Sequence, residues 1–513
     1  MPLPTSRPTP SGGSGPDLPT ATDSGTGVGA GSTGVGPSHM SPGEFRRCGH
    51  AVVDWIADYW QDLPSRPVTP PVTPGQVADR LPAQAPETGE DFGTLLQDLD
   101  TLILPGMAHW QHPGFLGFFP MTTSGPAVLA QMLTAGLNAQ GMAWATNPAA
   151  TELEQRVMDW LADLMALPDR FTRGGVIQDT ASSAMLVALT AALWRRAGEQ
   201  WRNHGSGPGY TVYTSTEANC SVHKAVRLSG LGDLQLRRIP VESHTQALRP
   251  DLLRQAVEAD LSAGLTPVAA IATIGTTSTT AIDPLPAVAD ICRSHDVWLH
   301  VDGAYAGVAA ICPELRWIND GLEHADSYSV NTHKWLLTGF ECSPMWFADP
   351  AAVTQAMTVT QSYLREVTGD PRQAPDYRDW QIPLGRPFRA LKLWFTLRWY
   401  GADGLRAHLR RGVELARIFA DLVRGDDRFE VVAPSPFGLV CFRLRADCSV
   451  NAQLLKRLNA GGDILLSSTD VNGRFTLRMA AGGTATTADH IAHAWSRIRA
   501  EADRLTGTGH RSG

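Results

Sequence analysis

Apolar residues recur at helical spacing near the start of the ordered-looking chain: Phe45, Val52, Trp55, Ile56 and Tyr59 share one face, and the proline-rich run from Pro64 to Pro74 ends it. A second helix is expected from Asn147. Its side chain can cap the first turn, Pro148 suits the first helical position, and Leu153, Val157, Trp160, Leu161 and Leu164 form an apolar stripe. From about residue 175 the pattern changes to short continuous apolar runs, at 174–178, 210–213, 267–274, 297–301 and 327–330, separated mostly by helix-like stretches. Strands apolar on both faces and alternating with helices predict a mostly parallel sheet covered on both sides. After about residue 390 a smaller α+β pattern begins, with candidate strands at 429–432, 439–444 and 474–478. The chain therefore reads as α/β, with a large domain over 125–391 and a small C-terminal α+β domain over 392–513.

The first 39 residues differ: 28 of them are Gly, Pro, Ser or Thr, and none is aromatic. Such a segment buries too little surface to offset its ordering entropy, so 1–39 is expected to be a disordered extension or the product of an upstream start. A length of 513 residues calls for two or three domains. Charged residues are 18%, below the usual ~25%, and 43 Lys+Arg against 51 Asp+Glu give a net charge of −8. No basic stripe invites nucleic acid or an anionic membrane, no apolar run is long enough to span a bilayer, and no secretory signal is visible. A soluble, cytoplasmic protein is expected. The seven cysteines, at 48, 220, 292, 312, 342, 441 and 448, contain no Cys-x-x-Cys pair and read as ordinary buried thiols. Zinc-ligand spacing is absent, and no metal is expected.

In a parallel sheet, ligands sit at the carboxyl ends of the strands. After the first run comes Asp179-Thr180-Ala181-Ser182-Ser183-Ala184, leading into a helix. Small hydroxylated residues at a helix N-terminus form a phosphate cradle, or else simply a helix cap. The third run ends in Gly275-Thr276-Thr277-Ser278, a polar turn. The fourth delivers Asp302, which can cap the next helix or hold the protonated nitrogen of a pyridine in its electron-withdrawing form. The fifth leads to Lys334, followed by Trp-Leu-Leu. A lysine there is either a surface residue or a desolvated nucleophile suited to Schiff-base formation. Phosphate donors, a carboxylate and a lysine at successive strand ends favour the cofactor reading.

These residues resemble a known family. Asn331-Thr332-His333-Lys334-Trp335, His300-Val301-Asp302-Gly303-Ala304-Tyr305-Ala306-Gly307, His109-Trp110-Gln111-His112-Pro113 through Phe118-Phe119-Pro120, Asn147 to Glu154, and Asp376 to Ile382 are similar to the aromatic-L-amino-acid decarboxylases, the group II pyridoxal-phosphate decarboxylases. The likeness runs from about Met40 to about Ile498. It implies the fold type I, aspartate-aminotransferase-like architecture, a homodimer whose N-terminal helical segment (40–124) wraps the partner, and pyridoxal 5'-phosphate as cofactor. By that resemblance Lys334 carries the cofactor and Asp302 pairs with its ring nitrogen. Asn331, His333, Thr180 and Ala181 hold the phosphate, and Thr277, Ala304 and Asn219 face the cofactor. Trp110, Phe118 and Phe119 would line the pocket for the substrate's ring, Tyr363 would sit on the loop covering the site, and Gly385 matches the small residue of indole-tolerant relatives. The implied activity is decarboxylation of an aromatic L-amino acid to the arylethylamine and carbon dioxide.

Two departures qualify the expectation. Ala218-Asn219-Cys220-Ser221-Val222 stands where the family has a stacking histidine, and Asn219 cannot act as an acid. In some relatives Asn here accompanies aldehyde synthesis, with oxygen consumed and aldehyde, ammonia and hydrogen peroxide formed; the retained Tyr363 argues the other way, and amine formation stays ahead. Met121 and Phe118 each replace a residue that commonly bears a hydroxyl, which predicts preference for phenylalanine or tryptophan over dihydroxyphenylalanine, unless Met121 merely repacks a wall. A non-catalytic relative would be colourless, whereas Lys334 and Asp302 predict a yellow protein. Glutamate as substrate is disfavoured by a pocket of Trp110, Phe118, Phe119 and Met121 with no added cation.

Overall fold

A computed structural model of the chain describes residues 39–359 and 375–507, in two compact units, one ending at Trp55 and the other beginning at Ile56. The expectation for 1–39 falls, apart from His39, outside the described residues, and so does Tyr363. In the first unit Ser41 and Glu44 cap the helix Pro42–Asp62 reciprocally: each accepts the other's backbone N–H, at 2.8 and 3.2 Å.

The larger unit is built on a seven-stranded sheet: β1 (Gly175–Gln178), β2 (Tyr210–Ser215), β3 (Leu236–Ile239), β4 (Thr266–Thr273), β5 (Trp298–Asp302), β6 (Ser327–Ser329) and β7 (Ser343–Phe347), in the order β1-β7-β6-β5-β4-β2-β3. Only β7 runs against the others, so the carboxyl ends of six strands share one edge. Every residue of β1, β5, β6 and β7 is buried, the signature of a sheet covered on both faces. A second, antiparallel sheet contains β8 (Phe429–Val431), β9 (Leu439–Leu444), β10 (Ser467–Val471) and β11 (Arg474–Ala480), in the order β10-β11-β9-β8. Asn472 and Gly473, both at positive φ, close the β10–β11 hairpin, as a two-residue turn requires.

The helix at Asn147 forms as expected, over Pro148–Met165, with Asn147 Oδ1 accepting from the Ala150 amide at 3.0 Å. Its Glu154 is buried and receives Arg386 bidentately, both contacts 2.8 Å, together with the Ile177 amide. Arg386 and Arg389 also donate to the Ile177 carbonyl. This buried cluster ties the helix, β1 and the segment around 381–389 together, and breaking it would leave charges uncompensated. Among the cysteines, the expectation of buried thiols fails at two positions: Cys220 and Cys448 are exposed. Among the described residues no helix is long and apolar enough to cross a membrane.

Candidate active site

The strand ends β1, β4, β5 and β6 open on a cavity of about 240 Å³. Its lining includes Thr180, Ala181, Asn219, Thr277, Asp302, Ala304, Asn331, His333 and Lys334, together with Phe119 and Met121. The four separate strand-end signals thus converge on one space.

β1 leads through Asp179 to Thr180, the N-cap of the helix Ala181–His204; the Thr180 hydroxyl accepts from the Ser183 amide. Free N–H groups and small side chains at this helix start form the cradle suited to an anion. On the next strand end Asp302 is buried, with Oδ1 accepting from the Ala304 amide at 2.9 Å. Burial raises its carboxyl pKa, and the Lys334 charge opposes that rise. Lys334 is enclosed by protein atoms but reachable through the cavity; burial lowers its pKa and Asp302 works against the drop. Its Nζ lies 5.6 Å from the centre of the Phe119 ring, which stacks on Tyr305 at 3.8 Å. An amine with a lowered pKa and a carboxylate, facing one cavity beside an anion cradle, suit a planar group with an aldehyde, a basic ring nitrogen and a phosphate.

The flanking polar groups are held in place. Asn331 Oδ1 accepts from the Ser343 hydroxyl at 2.8 Å. The His333 Nδ1 atom lies 2.9 Å from both the amide and the carbonyl of Cys342, and burial together with Lys334 lowers the ring's pKa to about 4, so it is neutral near pH 7. Asn219 is fixed at both ends of its carboxamide: Nδ2 donates to Thr277 Oγ1 and Oδ1 accepts from the Ser221 amide, each at 2.9 Å.

The residues expected around the substrate's ring are less closely gathered. Phe119 and Met121 line the cavity. Trp110 lines a neighbouring cavity of about 630 Å³ that shares Met121 and Phe340 with the first. Phe118 stacks with Trp110 at 5.7 Å but lines neither, and Gly385 lies beside Gln140. Ser182, part of the expected phosphate cradle, lines the first cavity too, and so do Ser221, Thr273, Gly275, Tyr305 and Phe340, for which the sequence gives no individual site role. Gly275 is visible in the sequence as the glycine that ends the third apolar run; in the structure it has positive φ, and a Cβ there would lie 2.6 Å from that of Ala306. Phe340 has no such mark in the sequence.

Residues 74–445 match the pyridoxal-dependent decarboxylase conserved domain. The chain is 40% identical to tryptophan decarboxylase 2 of Oryza sativa subsp. japonica, over 93% of this chain and 99% of that protein. It is 42% identical to phenylacetaldehyde synthase of Arabidopsis thaliana, over 91% and 97%. The crystal structure of Oryza sativa TDC with PLP and tryptamine superposes with a TM-score of 0.87 at 38% identity, covering 91% of this chain and 99% of that one.

Proposed function

The chain belongs to the aromatic-L-amino-acid decarboxylase family of pyridoxal-dependent enzymes, and on that premise we propose that it converts phenylalanine or tryptophan to the arylethylamine and carbon dioxide. The observation that carries the reading is the convergence of Asp302, Lys334 and the Thr180–Ala181 cradle on one cavity walled by Phe119 and Met121.

The donor set fits pyridoxal 5'-phosphate. Thr180, Ala181, Asn331 and His333 would hold its phosphate end, Asp302 its ring nitrogen, and Lys334 its carbonyl carbon, with Thr277, Ala304 and Asn219 alongside. Bound there, the cofactor supplies an electron-accepting ring for the electrons of the substrate's Cα–carboxylate bond. Asp302 keeps a proton at the ring nitrogen, because a buried carboxylate is stabilised by a cation and not by water. Lys334 would also serve as a base or acid, its amine moving a proton at Cα. Phe119 and Met121 shield that carbon from water and bind an aromatic side chain without demanding a hydroxyl. Tyr363 is proposed as a further proton donor. Trp110, Phe118 and Gly385 are proposed as ring-binding residues that act once a second copy of the chain closes the site. The exposed apolar residues Leu129, Met132, Leu133, Leu137 and Phe340 support such a homodimer, with 40–124 wrapping the partner and 125–391 and 392–513 as the remaining domains. We place the enzyme in the cytoplasm.

A second reading is favoured by Asn219. Both ends of its carboxamide are occupied and neither can deliver a proton, so the position offers no general acid, a function worth roughly 10²–10⁴-fold. The alternative reaction takes amino acid, oxygen and water to aldehyde, carbon dioxide, ammonia and hydrogen peroxide. An oxygen electrode combined with assays for amine, aldehyde and peroxide separates the two. Carbon dioxide without oxygen uptake is expected; stoichiometric oxygen uptake with peroxide would replace the amine reading, and Asn219→His should then restore amine.

A further inference from the structure

Arg478 lies on β11, in the smaller sheet, yet its buried guanidinium reaches the wall of the cavity. Nη2 donates to the Thr277 carbonyl at 2.7 Å, Nε to the Ser278 carbonyl at 2.8 Å and Nη1 to the Ser467 hydroxyl at 2.8 Å. The same Ser467 oxygen accepts from the Phe118 amide at 3.1 Å. The guanidinium carbon lies 5.4 Å from the centre of the Phe119 ring. Thr277 in turn receives Asn219 through its hydroxyl.

One side chain therefore holds two walls. Toward the ring pocket it packs on Phe119 and, through Ser467, fixes the backbone at Phe118, a non-glycine residue held at φ 57°. Toward the cofactor side it grips the 277–278 turn from below, which sets where the Thr277 hydroxyl and the Asn219 carboxamide stand. The planar fork makes all three contacts at once, which an ammonium, a point donor, cannot. All three acceptors are neutral oxygens, and among the described residues no carboxylate pairs with this buried cation, an expensive arrangement that a plain packing role does not call for.

We propose that Arg478 is a positioning residue for the reaction: it fixes the gap between the Phe118–Phe119 wall and the Thr277–Asn219 pair, and through that gap governs both the choice of aromatic ring and the fate of Cα. The proposal rests on the cavity being the active site of a decarboxylase acting on aromatic amino acids. Misplacing reacting groups by about 1 Å can cost on the order of a hundredfold, so an effect of tens of fold is expected where the contacts are lost.

The test compares wild type, R478K and R478M as cofactor-loaded enzymes at matched cofactor occupancy. For R478M we expect kcat/KM to fall by roughly ten- to a hundredfold, the tryptophan-to-phenylalanine ratio to change, and the visible circular-dichroism band of the bound cofactor to alter. R478K, with one donor point, should fall in between. Combined with Thr277→Val, R478M should lose less than the product of the two single losses, because both act on Asn219. Values of kcat/KM and substrate ratio within twofold of wild type, or single losses that simply multiply, would overturn the proposal. If R478M is recovered unfolded, R478K decides: an unchanged substrate ratio and dichroism band overturn it. A wild-type enzyme inactive on aromatic amino acids would remove the functional reading instead, and the dichroism band, which needs no turnover, would still report whether Arg478 positions the site.

Discussion

Asp302 is 5% exposed at the end of β5, whereas Trp110 and Phe118, two of the residues matched to substrate recognition, are 42% and 53% exposed. The floor of the cavity is assembled within one chain from strand ends that the sheet holds rigidly. The outer wall comes from the 110–121 segment, which is mostly buried but leaves Trp110 and Phe118 open. The difference reflects the task of each part. Shifting the pKa of a carboxylate and a lysine requires a low-dielectric, pre-organised setting, which a buried sheet edge supplies. Gripping a flat apolar ring requires surfaces on more than one side, and in this protomer two of the candidates, Trp110 and Phe118, are exposed while Phe119 is buried.

The largest expected effect breaks the floor. Lys334→Ala should reduce carbon dioxide release by at least about a thousandfold while leaving the fold intact, since Asp302, which loses the opposing lysine charge, can take up a proton and stay buried as a neutral acid. Release within tenfold of wild type, in protein of unchanged circular dichroism, would show that Lys334 does not act on the substrate.

A second prediction concerns the burial that makes the floor. His300, two residues before Asp302, is buried with its Nδ1 2.9 Å from the Ser327 hydroxyl, and desolvation lowers its pKa to about 3. Unfolded, the ring titrates near 6.5. Because the folded pKa is the lower one, the folded state binds fewer protons below pH 6.5. The stability contributed is thus complete above that pH and is lost as pH falls toward 3. Urea titrations of wild type and His300→Gln should converge by about 2 kcal/mol between pH 7 and pH 5 in favour of the variant. A gap that stays constant over this range would mean the ring is not desolvated.

Legibility in the chain divides along the same line. Asp302 and Lys334 stood out because each lies at or just beyond the end of an apolar run, and a buried run carries its end residues into the interior. β3 and β7 are not legible as strands in the sequence, for local reasons. β3 is an edge strand whose centre, Arg237-Arg238, reads as polar, and β7 contains Pro344, which argues against a strand although its carbonyl still accepts the Val330 amide. Arg478 was legible only as a residue of a candidate strand, because its partners lie 11, 200 and 201 positions away. Spacing along the chain conveys strand ends well and contacts between sheets hardly at all.

The smallest expected effect tests the wall. Met121 lines both cavities, at their junction, and its backbone is held by the Gln111 side chain, which donates to the Met121 carbonyl. A substitution here therefore changes the side chain against an anchored main chain. The thioether accepts hydrogen bonds weakly and donates none, so hydroxyls on a substrate ring that meet it lose water without recompense. Met121→Thr places a hydroxyl at that spot, and one such hydrogen bond is worth about 0.5–1.5 kcal/mol. The ratio of kcat/KM for dihydroxyphenylalanine to that for phenylalanine should rise by roughly two- to tenfold, with the cofactor's absorbance unchanged because Asp302 and Lys334 are untouched. A ratio that does not move would mean that the ring never reaches Met121, and discrimination would then fall to the exposed residues, Trp110 and Phe118, and to whatever surface covers them.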